Sequence, residues 1–162
     1  MHTYAKPGTP FVFPFHEQLT SNCKIDVHGE VCTPEMRFFV DILSGPHSLL
    51  NIEFRFGNER IICLQSCSSD IDSNEIIEVT NPLQAGMKFH LNIVVRLNYY
   101  HVRLNGYTVA LFPHRYPPSL AQCLAVSKYV RIYSVNVEGF QNMKDDVSTE
   151  RSASSSGQDL LF

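Results

Sequence analysis

No apolar run in this 162-residue chain approaches the ~20 residues a helix needs to cross a bilayer, so a helical membrane span is excluded. The opening MHTYAKPGTP lacks a cationic segment leading into an apolar one, and no secretory signal peptide is expected. An excess of positive charge is also missing. The formal net charge is −3 at pH 7, which exerts no long-range pull on phosphates and argues against nucleic acid as a partner. No Asn-x-Ser/Thr acceptor occurs, so nothing points to passage through the glycosylating pathway. The five cysteines (Cys23, Cys32, Cys63, Cys67 and Cys123) are odd in number and irregularly spaced, unlike a disulfide framework. Cys63 and Cys67 would need two further ligands to hold zinc, and the seven histidines show no paired spacing. Reduced, mostly buried thiols are expected, with no metal and no cofactor. Tryptophan is absent altogether. These absences together describe a soluble protein, cytoplasmic by synthesis, that does not insert into membranes.

What remains is a globular composition, 44% hydrophobic and 11% aromatic, in a chain long enough to bury one core without staples. The periodicity is that of strands. Residues 24–31, KIDVHGEV, put Ile25, Val27 and Val31 on one face. Residues 37–43, RFFVDIL, offer Phe38, Val40 and Ile42. In residues 88–95, KFHLNIVV, Phe89, Leu91, Ile93 and Val95 alternate with Lys88, His90 and Asn92. The pattern returns in YHVRLNG, with Tyr100, Val102 and Leu104 inward and His101 and Arg103 outward. Such alternation marks antiparallel sheets with one solvated face. Breakers fall at short intervals, at Ser44-Gly45-Pro46, Gly57-Asn58, Asn81-Pro82, Asn105-Gly106 and Pro117-Pro118. Asn105-Gly106 is the strongest hairpin signal, since a type I′ turn needs positive φ at both central residues. In KYVRIYSVNV the apolar set shifts phase between Val130/Ile132 and Val135/Val137, which implies a bulge near Tyr133-Ser134, the favoured reading, or burial on both faces. No stretch keeps a 3.6-residue apolar period. The fold class expected is all-β, a sandwich or barrel. From Lys144 the chain becomes rich in Ser and charge and ends in DLLF, which matches a short acidic-dileucine docking motif; a tail without a packed core is expected over residues 144–162.

Catalytic motifs are missing as well. There is no Gly-rich phosphate loop, no G-x-S-x-G elbow and no H-E-x-x-H helix, and the acids Glu53, Glu59, Asp72, Glu75 and Glu78 are dispersed. A binding protein, not an enzyme, is the reading. The stretch that carries it is residues 51–56, NIEFRF. Its period of two sets Asn51, Glu53 and Arg55 on one face and Ile52, Phe54 and Phe56 on the other. An amide, a carboxylate and a guanidinium in one row suit polar recognition.

Residues 87–115 resemble the C-terminal half of a galectin domain. In that family an alternating apolar strand leads to a Val-x-x-Asn-Gly hairpin and then to Phe-x-His-Arg. Here those elements stand as Val102 to Gly106 and Phe112-Pro113-His114-Arg115. NPLQAGMKF (81–89) resembles the family's Phe-Pro-Phe-x-x-Gly-x-x-Phe lead-in, and KIDVHGEV its Ile-x-Ile-x-Gly-x-Val strand. The likeness covers about residues 10–140. It implies a two-sheet antiparallel jelly-roll sandwich of the concanavalin type, whose concave sheet holds β-galactosides. Residues 1–10 would be an N-terminal extension, 11–143 the carbohydrate-recognition domain and 144–162 the tail.

Through the same resemblance, NIEFRF falls on the family's sugar-binding strand, His-x-Asn-x-Arg-Phe. Asn51 stands in the His position, Glu53 in the Asn position and Arg55 on the Arg. The family's next-strand Asn maps to Gln65, or to Leu64 if the loop differs by one residue. Its Trp-Gly-x-Glu-x-Arg falls on residues 72–77, so that Asp72 replaces the Trp, Glu75 is retained and Ile77 replaces the second Arg. Loss of the ring that stacks on galactose, and of groups that read its axial hydroxyl, implies altered or weakened specificity. The carbohydrate-binding candidates are therefore Asn51, Glu53, Arg55, Gln65, Asp72 and Glu75, with Glu75 expected to orient Arg55. Glycans or glycoconjugates are the expected partners. The alternative is a galectin-fold module that has lost sugar binding and contacts protein partners through outward residues of the opposite sheet, such as His90, Asn92, Arg96, His101 and Arg103. Family members often dimerise through a sheet face or edge, so a homodimer belongs among the expectations. Some leave the cell by an unconventional route, which leaves both sides of the membrane open.

Overall fold

The computed structural model describes residues 2–67 and 75–139. Among them the alternating segments become twelve strands: β1 (His2–Ala5), β2 (Phe11–Pro14), β3 (Lys24–Val31), β4 (Phe38–Ser44), β5 (His47–Phe54), β6 (Ile61–Cys67), β7 (Ile77–Thr80), β8 (Lys88–Val95), β9 (Tyr99–Leu104), β10 (Tyr107–Pro113), β11 (Cys123–Val126) and β12 (Val130–Glu138). The described helical structure is one 3-10 turn, Pro118–Leu120. No described helix is long and apolar enough to cross a membrane.

The strands form two six-stranded sheets, in the orders β1-β12-β3-β8-β9-β10 and β2-β11-β4-β5-β6-β7. Neighbours pair antiparallel throughout. The inward residues of each sheet meet between them. Ile25, Val27, Leu91, Ile93 and Val102 come from the first, and Val40, Ile42, Ile52, Phe54, Ile62 and Leu64 from the second, all buried. Each such side chain contributes about 1.5–3 kcal/mol by leaving water, which makes this layer the main source of stability. Phe38 and Phe54 stack with ring centroids 4.5 Å apart, and Phe89 lies 5.7 Å from Phe38. Phe89 explains a glycine. A Cβ on Gly29 would stand 2.8 Å from the Phe89 ring and 2.6 Å from the Arg131 carbonyl oxygen, so only a bare backbone fits at this inward position.

Several local expectations are met. Asn105 and Gly106 turn β9 into β10 with φ of 51° and 86°, and Gly45-Pro46 joins β4 to β5. The register of β12 against β3 slips between Ile132 and Ser134, leaving Tyr133 as the bulged residue. The segment before residue 11 supplies β1, whose pairing of His2 with Val137 through Ala5 with Ser134 satisfies the outer edge of β12. Thiol burial is less complete than expected: Cys23 and Cys63 are buried, Cys32 and Cys123 partly so, and Cys67 is exposed. The tail at 144–162 lies outside the described residues.

Candidate functional site

The outer face of the second sheet is built from two cross-strand rows. Asp41 on β4 faces Asn51 on β5, which faces Gln65 on β6. One step along the strands, Phe39 faces Glu53, Glu53 faces Cys63, and Cys63 faces Glu78 on β7. Ile52 and Phe54 point into the core between these polar residues, so Asn51, Glu53 and Arg55 share the outer face as their spacing predicts. Leu64 is fully buried, and Gln65 is therefore the β6 residue that joins them. Asp72 lies outside the described residues.

The first row is organised by a carboxylate that the motif comparison did not single out. Asp41 Oδ1 accepts from Asn51 Nδ2 at 2.8 Å and from the Ser48 hydroxyl at 2.7 Å. Residues three apart on a regular strand face opposite ways; a bulge between Ser48 and Asn51 corrects the phase and brings both donors to one oxygen. Burial pushes the Asp41 pKa up, and the two hydrogen bonds only partly oppose it. Two signals were available in the sequence. One is an acid at an outward position of an apolar strand, and the other is the paired Leu49-Leu50 in a segment of period two.

The second row is charged. Arg55 Nε donates to Glu53 Oε1 at 2.8 Å, and an Arg55 terminal nitrogen lies 3.7 Å from Glu59. The other Glu53 oxygen lies 3.3 Å from Arg37. Glu53 thus serves two guanidinium groups and raises the Arg55 pKa still further by hydrogen bonding and charge. Beneath them, burial pushes the Cys63 thiol up, against the pull of Arg55. The expectation that Glu75 orients Arg55 is corrected here. Glu75 is bonded by Arg115 at 2.8 Å, whose guanidinium also donates to the Ser66 hydroxyl at 3.1 Å, while the adjacent Glu53 takes the Arg55 side chain. Arg115 reaches this edge from the loop after β10, a placement that spacing along the chain does not reveal.

The groups left to meet a ligand follow by subtraction. Among the described residues Gln65 makes no side-chain hydrogen bond, so its amide can both donate and accept. Asn51 keeps its carbonyl oxygen and one N–H, and Arg55 keeps a terminal nitrogen. The face offers donors and neutral acceptors, with Asp41 and Glu53 committed to neighbours and Glu78 on β7 carrying an exposed carboxylate at its edge. On the outward face of the first sheet, the residues proposed for protein contact have intramolecular partners. Asp26 holds His90 at 2.6 Å and Asn92 at 2.9 Å, Arg96 bonds Asn22, and His101 bonds Thr108. Arg103 reaches the Gly106 carbonyl at 3.4 Å.

The chain is thus an all-β two-sheet sandwich that carries amides and a braced guanidinium on one sheet face. Comparison with known proteins narrows the class. The model of the galactoside-binding lectin family matches residues 10–137. Probable galaptin lec-8 of Caenorhabditis elegans is 34% identical over 142 residues, spanning 87% of this chain and 78% of that protein. Galectin-8 of Rattus norvegicus is 29% identical over 152 residues, 90% of this chain and 47% of that protein. Among solved structures, the C. elegans galectin LEC-6 superposes with a TM-score of 0.77 at 18% identity, covering 85% of this chain and 96% of that one, a likeness of fold. The chain belongs to the galactoside-binding lectin family, the galectins.

Proposed function

We propose that this protein is a lectin that binds a β-galactoside or a related glycan on the β4–β6 face, with a specificity shifted from the family's usual one. The observation that carries the reading is the cross-strand row Asp41–Asn51–Gln65 beside Arg55, on the sheet where the family holds its sugar. Arg55, fixed by Glu53 and Glu59, donates to a sugar hydroxyl or ring oxygen. Asn51, oriented by Asp41, and Gln65 read neighbouring hydroxyls as donor or acceptor. The shift follows from what the face lacks. With no tryptophan in the chain there is no indole to stack on the apolar side of galactose, and Asp72 at that position adds none of that affinity. Asn51 and Glu53 in place of the family's His and Asn change which hydroxyl orientation is favoured, because discrimination follows the groups built to bond it. The role is binding without catalysis, with glycoconjugates as partners and the cytoplasm as the site of synthesis.

A glycan-array screen at low micromolar protein, wild type beside Arg55→Ala, tests the reading. Selective binding that the variant loses supports it and names the sugar class. A blank array from a folded wild-type protein refutes it.

A further inference from the structure

At one end of the first sheet a cavity of about 480 Å³ opens between β12 and the segment joining β1 to β2. It adjoins a second, of about 210 Å³, and Cys32 and Arg131 line both. The first also takes Lys6 and Tyr133 into its wall. Among the described residues neither Lys6 nor Arg131 enters an ion pair. The one carboxylate in the lining, Glu30, accepts from the Tyr133 hydroxyl. Arg131 lies close enough to that hydroxyl to favour its ionised form, and its five N–H donors exceed what one oxygen can take. Lys88 adds a third cation nearby, its Nζ 5.6 Å from the Tyr133 ring centroid.

Two backbone irregularities converge on this cleft. Lys6 has a φ of 49°, a left-handed conformation uncommon outside glycine, and Tyr133 is the bulged residue of β12. They are tied together, since the Lys6 N–H donates to the Tyr133 carbonyl at 2.7 Å. The Thr9 hydroxyl donates to the Val130 carbonyl at 2.9 Å, which holds the other end of the segment against β12. The walls are therefore fixed, and Tyr133, two residues after Arg131, shares its outward face. Departures from regular backbone held this firmly gather at ligand sites. Pro7 and the Tyr133 ring give the cleft an apolar side.

We propose that this cleft is a second binding site, for a small organic anion whose apolar body carries a phosphate, sulfate or carboxylate group. Lys6 and Arg131 grip the anionic head through charge-assisted hydrogen bonds, and the apolar wall and Tyr133 cover the body. The larger cavity alone lies within the size range of small-molecule sites. The site is built on the opposite sheet from the β4–β6 face and stands or falls independently of the glycan reading.

The test is an amide NMR titration of the full chain at low salt, with phenyl phosphate, phenyl sulfate, benzoate and inorganic phosphate as separate probes. Saturable shifts centred on Lys6, Cys32 and Tyr133 at low millimolar concentration are expected for at least one aromatic anion. That anion should bind more tightly than inorganic phosphate and weaken as salt is added. Lys6→Gln combined with Arg131→Gln should weaken it about tenfold or more while the remaining spectrum stays in place. Lys6→Gln alone, on the connecting segment, serves if the double variant misfolds and should also weaken binding. No shifts with any probe, shifts unaltered in the variants, or inorganic phosphate binding as well as the aromatic anions would each overturn the proposal.

Discussion

Two adjacent residues at the end of β5, its last residue Phe54 and Arg55 just beyond it, should respond to alanine in opposite ways. Phe54 is fully buried, stacked on Phe38 at 4.5 Å and 6.2 Å from Phe89. Its removal takes a large ring from the core and leaves a cavity, a loss of about 3–5 kcal/mol. Arg55 keeps 24% of its side chain exposed and makes pairs of 2.8 Å with Glu53 and 3.7 Å with Glu59. Partly exposed pairs are worth about 0.2–1 kcal/mol each. Glu53 is not orphaned by the change, because Arg37 stays 3.3 Å from its other oxygen. Arg55→Ala should therefore cost about 1 kcal/mol and abolish glycan binding, while Phe54→Ala destabilises the whole sandwich. Urea unfolding followed by circular dichroism separates them. With a slope of about 2 kcal/mol per molar, the midpoint falls by about 2 M for Phe54→Ala and by about 0.5 M for Arg55→Ala. Comparable losses in the two variants would refute the argument, for they would place Arg55 inside and the strand one residue out of register.

Two further outcomes are expected. Burial raises the Asp41 pKa above its ordinary 3.8, so the folded protein holds that proton more readily than the unfolded chain. From pH 3.8 up to the raised value stability falls as pH rises, and above it ionised Asp41 is a net cost. Asp41→Asn keeps an acceptor oxygen for Ser48 and Asn51; it should unfold at higher urea than wild type at neutral pH and lose that advantage on acidification below the carboxylate range, whereas a variant less stable at neutral pH would count against a costly charge. Combining Asp72→Trp with Asn51→His and Glu53→Asn should create galactose affinity measurable by calorimetry. A triple variant that folds and gains none would mean that residues 51–53 and 72 do not form one sugar site.

The fold was legible wherever the information lies in neighbours along the chain. Alternation in residues 24–31 and 88–95 announced β3 and β8, because a pleat sends successive side chains to opposite faces whatever lies across from them. Asn105-Gly106 announced its hairpin, and the phase shift in 128–137 announced the bulge at Tyr133, both being properties of a few consecutive backbone angles. The same logic put Asn51, Glu53 and Arg55 on one face. Four-residue strands such as β2 and β11 were not legible, having too few turns of the period, and β1 is a strand because the edge of β12 is there to pair with it. The pairing of polar groups on the outer face of the second sheet was likewise decided in three dimensions. That Asp41 braces Asn51, that Glu53 is shared by Arg37 and Arg55, and that Arg115 rather than Arg55 takes Glu75 all depend on which strands become neighbours. So does the cleft of Lys6 and Arg131, whose walls lie more than a hundred residues apart in the chain. By itself the sequence determined which side chains share a face, because the period of a strand is local; only the tertiary structure decided which charges meet, because that is set by strand order and register across the sheet.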